Sequence, residues 1–257
     1  MKHLIAIVLT TFVHTQPSWL TIHGSRQFSI SGVASFENGF LVVHDNKKMK
    51  QPRLSYLDRS FKLRKLIWPE TNLPYDLEAL HLMPGFANKF VAMESTGKAY
   101  IFLVDPFDFR IEILSTITLP GISNKMNLEG FAVFQSAQGT VFIYGDRGSN
   151  KRKSTLITAF FDPQNNKIDT IEKFIIDLPI PEKSKRNIAD IAIDKNGAVW
   201  TVATSDPGNN GPFKSAIYQI GHLNNVGTFN YNHPDLLKPL IVICLLYTSP
   251  SPRDQLQ

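Results

Sequence analysis

Glu78, Glu129 and Asp190 each head an alternating apolar segment, and a second acid closes the β-rich run that follows, at Glu94, Asp146 and Asp206. A further copy has Ser31 in the heading place and Asp45 at its close. Carboxylates gathered on one surface could supply the oxygens that a calcium ion takes, roughly six to eight of them. Bases crowd the adjoining loops: Lys47, Lys48, Lys50 and Arg53, then Lys151, Arg152 and Lys153, then Lys183, Lys185 and Arg186. Acids ringed by bases suit a cation that in turn holds an anionic ligand. Whether they can act together depends on what brings them to one place.

The spacing answers with a repeat. ISGVASFENGFLVVHDNK, LEALHLMPGFANKFVAMESTGK, NLEGFAVFQSAQGTVFIYGDRGSNKRKSTL and ADIAIDKNGAVWTVATSDPGNNG align with one another. Their heading residues lie 47, 51 and 61 residues apart, and the closing acids follow 14, 16, 17 and 16 residues later. Two more β-like runs follow each of the first three pairs, and one run, residues 215–220, follows the fourth. Val, Ile, Phe, Tyr and Thr alternate or run short, punctuated by Gly, Pro, Asn and Asp, and no helical period persists. Four antiparallel strands per unit predict an all-β fold, a β-propeller with at least four four-stranded blades in an incomplete ring. A sandwich or barrel would not explain the regular return of the acid pair. In an antiparallel pair the start of the first strand and the end of the second share an edge. Glu78, Glu129 and Asp190 should therefore ring one face of the disc near its axis, with Asp45, Glu94, Asp146, Asp206 and the basic loops beside them. Gly32, Ala79 and Gly130, just after the heading positions, would let inner strands approach closely.

On that placement Glu78, Glu129, Asp146 and Asp190 are the candidate ligands of a divalent metal, calcium by the oxygen-only set. Glu129 and Asp146 are also candidate catalytic groups, through a metal-bound water or a polarised substrate oxygen. His44, beside Asp45, is a candidate general base. Arg147, Lys151 and Arg152 could bind substrate, Arg147 as a bidentate fork on phosphate or carboxylate. Each has a plainer alternative. Acids at strand ends cap turns, Gly148 at positive φ explains the Asp-Arg-Gly step, histidines are structural, and basic loops are solvated faces.

Length and charge set the outer bounds. The 257 residues, 43% hydrophobic, can bury one large all-β core. The net charge of +5 comes from loop bases without aromatic interleaving, which argues against nucleic acid as partner. A lone cysteine, Cys244, builds neither a disulfide framework nor a cysteine-based zinc site. Gly-x-Ser-x-Gly, GxGxxG, HExxH and phosphate-cradling Gly-Lys-Ser/Thr motifs do not occur.

Residues 1–16 carry an early lysine and an apolar run over 4–13, the length of a signal-peptide core and too short to span a bilayer. They predict a secreted or periplasmic protein without stable membrane insertion. The same run is also good β sequence. The propeller domain is expected over 17–243, its four blades over 29–222, with the repeat pattern failing after Gly221. Residues 244–257 are expected to be disordered and foreign, because CLLYTSPSPRD resembles a translated sequencing adapter. On that reading the authentic protein ends near Ile243 and at least one blade is missing.

ISGVA, FLVVHDNK, PRLSYLD, LPYDLEAL and NLEGFAVF with GDRG resemble the phytase-like and esterase-like β-propeller families over about residues 28–222. The resemblance implies blades that open on Glu-Gly or Glu-Ala, with calcium at the axial mouth binding a phosphorylated substrate in the phytase branch. Glu78, Glu129, Asp146 and Asp190 match its acid-led pattern, and Ser31 departs from it. Two function classes follow. One is a calcium-associated hydrolase of phosphate or carboxyl esters. The other is a non-catalytic propeller that binds a small anionic ligand or a protein around a structural ion.

Overall fold

A computed structural model describes residues 22–208 and 213–245. The leader reading of residues 1–16 and all of the tail reading beyond Leu245 lie outside them. Four antiparallel sheets follow one another along the chain, each a meander from the axis outwards. The first comprises β1 (Gly32–Phe36), β2 (Gly39–Val43), β3 (Leu54–Asp58) and β4 (Leu63–Leu66). The second comprises β5 (Leu77–Leu82), β6 (Lys89–Glu94), β7 (Lys98–Val104) and β8 (Ile111–Thr118). The third has β9 (Leu128–Ser136), β10 (Gly139–Asp146), β11 (Ser154–Asp162) and β12 (Lys167–Ile176). The fourth has β13 (Lys185–Ile193), β14 (Ala198–Ser205) and β15 (Phe213–Leu223). The expected propeller is therefore present, with four blades.

The fourth blade departs from the expectation that the pattern fails after Gly221. Its outer position is filled by two short strands, β16 (Phe229–Tyr231) and β17 (Ile241–Leu245), paired with opposite ends of β15. Each is short, and Pro234 and Pro239 interrupt the chain between them, so no periodic signal survives. Cys244, assigned to the foreign tail by sequence, is an exposed member of β17.

Strand alternation explains how the blades stack. Phe142 and Tyr144 of β10 point into the core shared with the second blade. Val141 and Ile143, their neighbours, point into the core shared with the fourth. Likewise Val91 and Met93 of β6 face the third blade, and Phe90 and Ala92 face the first. A strand buried on both faces needs a continuous apolar run, and FVAM and VFIY supply it. Aromatic pairs fill the wedges: Phe142 stacks on Phe161 at 4.6 Å, and Phe36 meets Phe90 edge-on at 5.6 Å.

Near the axis β1 packs on β5, β5 on β9 and β9 on β13. No interface of comparable extent joins β13 back to β1 among the described residues. Val33 and Phe40, on the first blade, are accordingly exposed. Inner-strand crowding is severe at Gly32, where a Cβ would lie 2.7 Å from the Leu80 nitrogen and 2.9 Å from the Ala79 backbone. Gly32→Ala is expected to destabilise the fold by about 1–3 kcal/mol, because backbone on both sides must shift. Urea unfolding measures this, and a loss below about 0.5 kcal/mol would show that the blades slide freely.

Candidate active site at the axial mouth

The heading carboxyls reach the mouth through β-bulges. In the second blade Leu77 pairs with Glu94 and Ala79 with Met93, so Glu78 has no cross-strand partner. The third blade repeats this: Leu128 pairs with Asp146 and Gly130 with Gly145, which leaves Glu129 out of the ladder. A bulge breaks the in-out alternation and re-aims the residue it carries. Two adjacent blades thus turn one carboxyl each out of register at equivalent places. The fourth blade has a wider irregularity between Arg186 and Asp190, and the first pairs without one.

Electrostatics ties Glu78 and Glu129 together. Burial pushes the Glu78 carboxyl up to about 9, and the charges of Glu129, Asp76 and Asp45 add to the rise against Lys47. Glu78 is therefore protonated at neutral pH. Burial also raises Glu129, but its hydrogen bond from Arg147 and the charge of Arg186 oppose the rise. Arg147 donates to Glu129 Oε1 at 2.8 Å, and Arg186 stands 3.7 Å from the same oxygen while pairing with Asp206. Asp76, which sequence reasoning missed, completes the group. It is buried, accepts from Ser95 Oγ at 2.8 Å and lies 3.0 Å from Lys47 Nζ. Its backbone is held at φ 60°, a costly conformation that clusters at functional sites. Asp76 has no counterpart at the same place in the other repeats, so the repeat pattern offers no signal for it.

The closing acids have another task. Asp146 is fully buried, accepts the Asn127 N–H at 2.9 Å and takes both Nη groups of Arg152. Glu94 accepts from the Tyr75 N–H at 2.8 Å and the Tyr100 hydroxyl at 2.6 Å. Asn46 donates to the carbonyls of Gln27 and Pro52, both at 2.7 Å. In all three blades the partners lie 19 residues before and 6 residues after. This is a repeated staple joining the incoming chain, the second strand and the third. In the first blade Asn46 fills the place that the spacing gave to Asp45, which is exposed.

The remaining candidates separate in the same way. His44 is fully buried, with Nδ1 on the Ser29 carbonyl at 2.9 Å and Nε2 on Ser55 Oγ at 2.8 Å. Both nitrogens are engaged and burial lowers its pKa, so it serves as a structural crosslink and not as a general base. Arg152 is committed to Asp146, and Lys151 is exposed in the same loop. Asp190 stays in the ladder opposite Val202, is exposed yet hemmed in enough to be pushed up to about 6, and its carboxylate accepts its neighbour's N–H, from Ile191. Water at its surface moderates that rise.

The four expected metal ligands do not form a donor set that fits calcium. Asp146 has spent its oxygens on Arg152 and Asn127, and Asp190 pairs in its ladder and accepts the Ile191 N–H. Lys47, Arg147 and Arg186 take the charge-compensating places around Glu78 and Glu129. Among the described residues no three Asp, Glu, His or Cys side chains stand close enough to share an ion. A shallow depression of about 180 Å³ opens beside the mouth, lined by Arg147, Ser149, Lys185, Arg186 and Asp206.

Fold and site together define a β-propeller whose polar, mixed-charge surface is the axial face. A solved structure shares that fold. The chain is 12% identical to a protein from Lactobacillus plantarum, covering 84% of this chain and 58% of that one, with a TM-score of 0.50. It is 13% identical to the periplasmic gluconolactonase PpgL of Pseudomonas aeruginosa, covering 85% and 57%, with a TM-score of 0.45. It is 12% identical to the GH32 β-fructofuranosidase BmSUC1 of Bombyx mori, covering 78% and 49%, with a TM-score of 0.44. The chain thus spans about half to three-fifths of the length of these structures. No family model and no curated protein matches the sequence.

Proposed function

We propose that the axial mouth hydrolyses a small carboxyl ester or lactone that carries a negative charge. The observation behind this reading is the pair of equivalent bulges, which turn out two carboxyls in neighbouring blades, only one of them flanked by guanidinium groups. Glu78, protonated at neutral pH, acts as general acid. Glu129, between Arg147 and Arg186, acts as general base. Glu129 takes a proton from water, whose oxygen bonds to the acyl carbon. The tetrahedral intermediate then collapses as the bond to the leaving oxygen breaks, and Glu78 protonates that oxygen. The products are a carboxylic acid and an alcohol, or a single hydroxy acid from a lactone. Proton exchange with solvent returns both carboxyls to their starting states. Arg147, Arg186 and Lys47 supply positive charge for the substrate's anionic group and the developing oxyanion.

Phosphate esters are the alternative carried by the sequence resemblance, but the residues at the mouth do not offer the calcium site that route needs. The test is a panel of anionic carboxyl esters, lactones and phosphate monoesters, each assayed with calcium and with a chelator. Turnover of carboxyl esters or lactones that survives chelation is expected. Phosphate turnover that requires calcium would overturn the assignment, and saturable binding without turnover would favour the non-catalytic class.

A further inference from the structure

A second candidate site lies at the perimeter, away from the mouth. β4 is the outermost strand of the first blade, and among the described residues no strand pairs with its outer edge. A cleft of about 350 Å³ runs along that edge, between residues 64–67 and the turn at 108–111 that leads into β8. Consecutive residues line both walls, as they do when a groove follows two backbone edges. Arg64, Lys65 and Arg110 line it, and none of them forms an ion pair with a described residue. The one carboxylate present, Asp108, accepts the Arg110 N–H at 2.8 Å. Phe109 forms an aromatic wall, held at φ 64°, and the Arg64 guanidinium lies 4.6 Å above its ring. Ile67, also in the lining, is 83% exposed.

We propose that this cleft docks an extended, acidic segment of a partner protein, which adds as a strand along β4. Strand addition gives such a segment main-chain hydrogen bonds, and alternate side chains then read the groove. Three cations against one carboxylate select acids, while Phe109 and Ile67 take apolar residues between them. A small anion would use the cations but not the strand edge or the exposed Ile67. Bases on an edge strand also discourage sheets from joining edge to edge, and the experiment separates that role from docking.

A fluorescein-labelled octapeptide, DIEVDIEV, is titrated with the full chain and followed by anisotropy. Saturable binding is expected, weakened at least about tenfold by Arg64→Glu with Arg110→Glu. Methylating alternate backbone nitrogens of the peptide should weaken it comparably, and turnover at the axial mouth should not change. If the charge reversals unfold the protein, Arg64→Gln and Arg110→Gln test the same point with smaller losses, about threefold each. Absence of saturable binding, equal binding by the variants, or equal binding of the methylated peptide would overturn the proposal. The first result would leave the cations as edge protection, and the last would leave a site for small anions.

Discussion

Glu78→Gln is expected to stabilise the fold at neutral and alkaline pH and to abolish turnover in the same protein. The Glu78 carboxyl rises from its ordinary 4.5 to about 9 in the folded chain. A folded state that binds the proton more tightly than the unfolded state loses stability as pH rises. That contribution is complete below about 4.5 and is lost as pH rises through about 9. The slope inside the window is at most about 1.4 kcal/mol per pH unit. A glutamine resembles the protonated acid in shape and cannot ionise, so the variant removes the slope. Its melting temperature should match the parent near pH 5 and exceed it increasingly towards pH 8. Its kcat should fall about 10²–10⁴-fold, the usual worth of a positioned proton donor. Glu129→Gln should lose kcat similarly, with the slope in stability reduced but still present, because burial, the first cause of the Glu78 rise, remains when the Glu129 charge is gone. Equal pH dependence of melting in Glu78→Gln and the parent would show that Glu78 ionises normally. Full activity in either variant would remove the catalytic reading.

Asp146→Ala should produce the largest loss of stability among the candidate site residues, about 2–4 kcal/mol. The side chain is fully buried and holds the Asn127 N–H and the Arg152 guanidinium. Removing it leaves a donor and a charge without a partner, which costs about 1–3 kcal/mol for the first and about 3–5 kcal/mol for a fully buried pair. Arg152 is 33% exposed and can turn to water, which removes most of the second cost and leaves about 2–4 kcal/mol. For a chain of this size that is a fall in melting temperature of roughly 6–12 °C. Asp146→Ala together with Arg152→Ala should recover part of the loss, since no orphaned charge remains. The kcat of the folded fraction should stay within about threefold of the parent. A stable variant that has lost activity would return Asp146 to the catalytic group where its spacing first placed it.

The contrast between Glu129 and Asp146 marks how far the sequence reaches. Both acids recur with the repeat, and the repeat alone determined the four blades, the shared face and the inner crowding at Gly32 and Gly130. Those properties follow from strand alternation and antiparallel pairing, which are local and periodic. The pattern also contained the staple, since partners 19 residues before and 6 after recur at Asn46, Glu94 and Asp146. Spacing could not show which acids were already satisfied. That depends on where Arg152 and Asn127 lie in space, and on bulges that turn Glu78 and Glu129 out of the ladder. Nor could it find Asp76, or separate the buried His44 from a reactive one. A carboxyl's role is set by its desolvation and its nearest charges, and only packing between blades decides both.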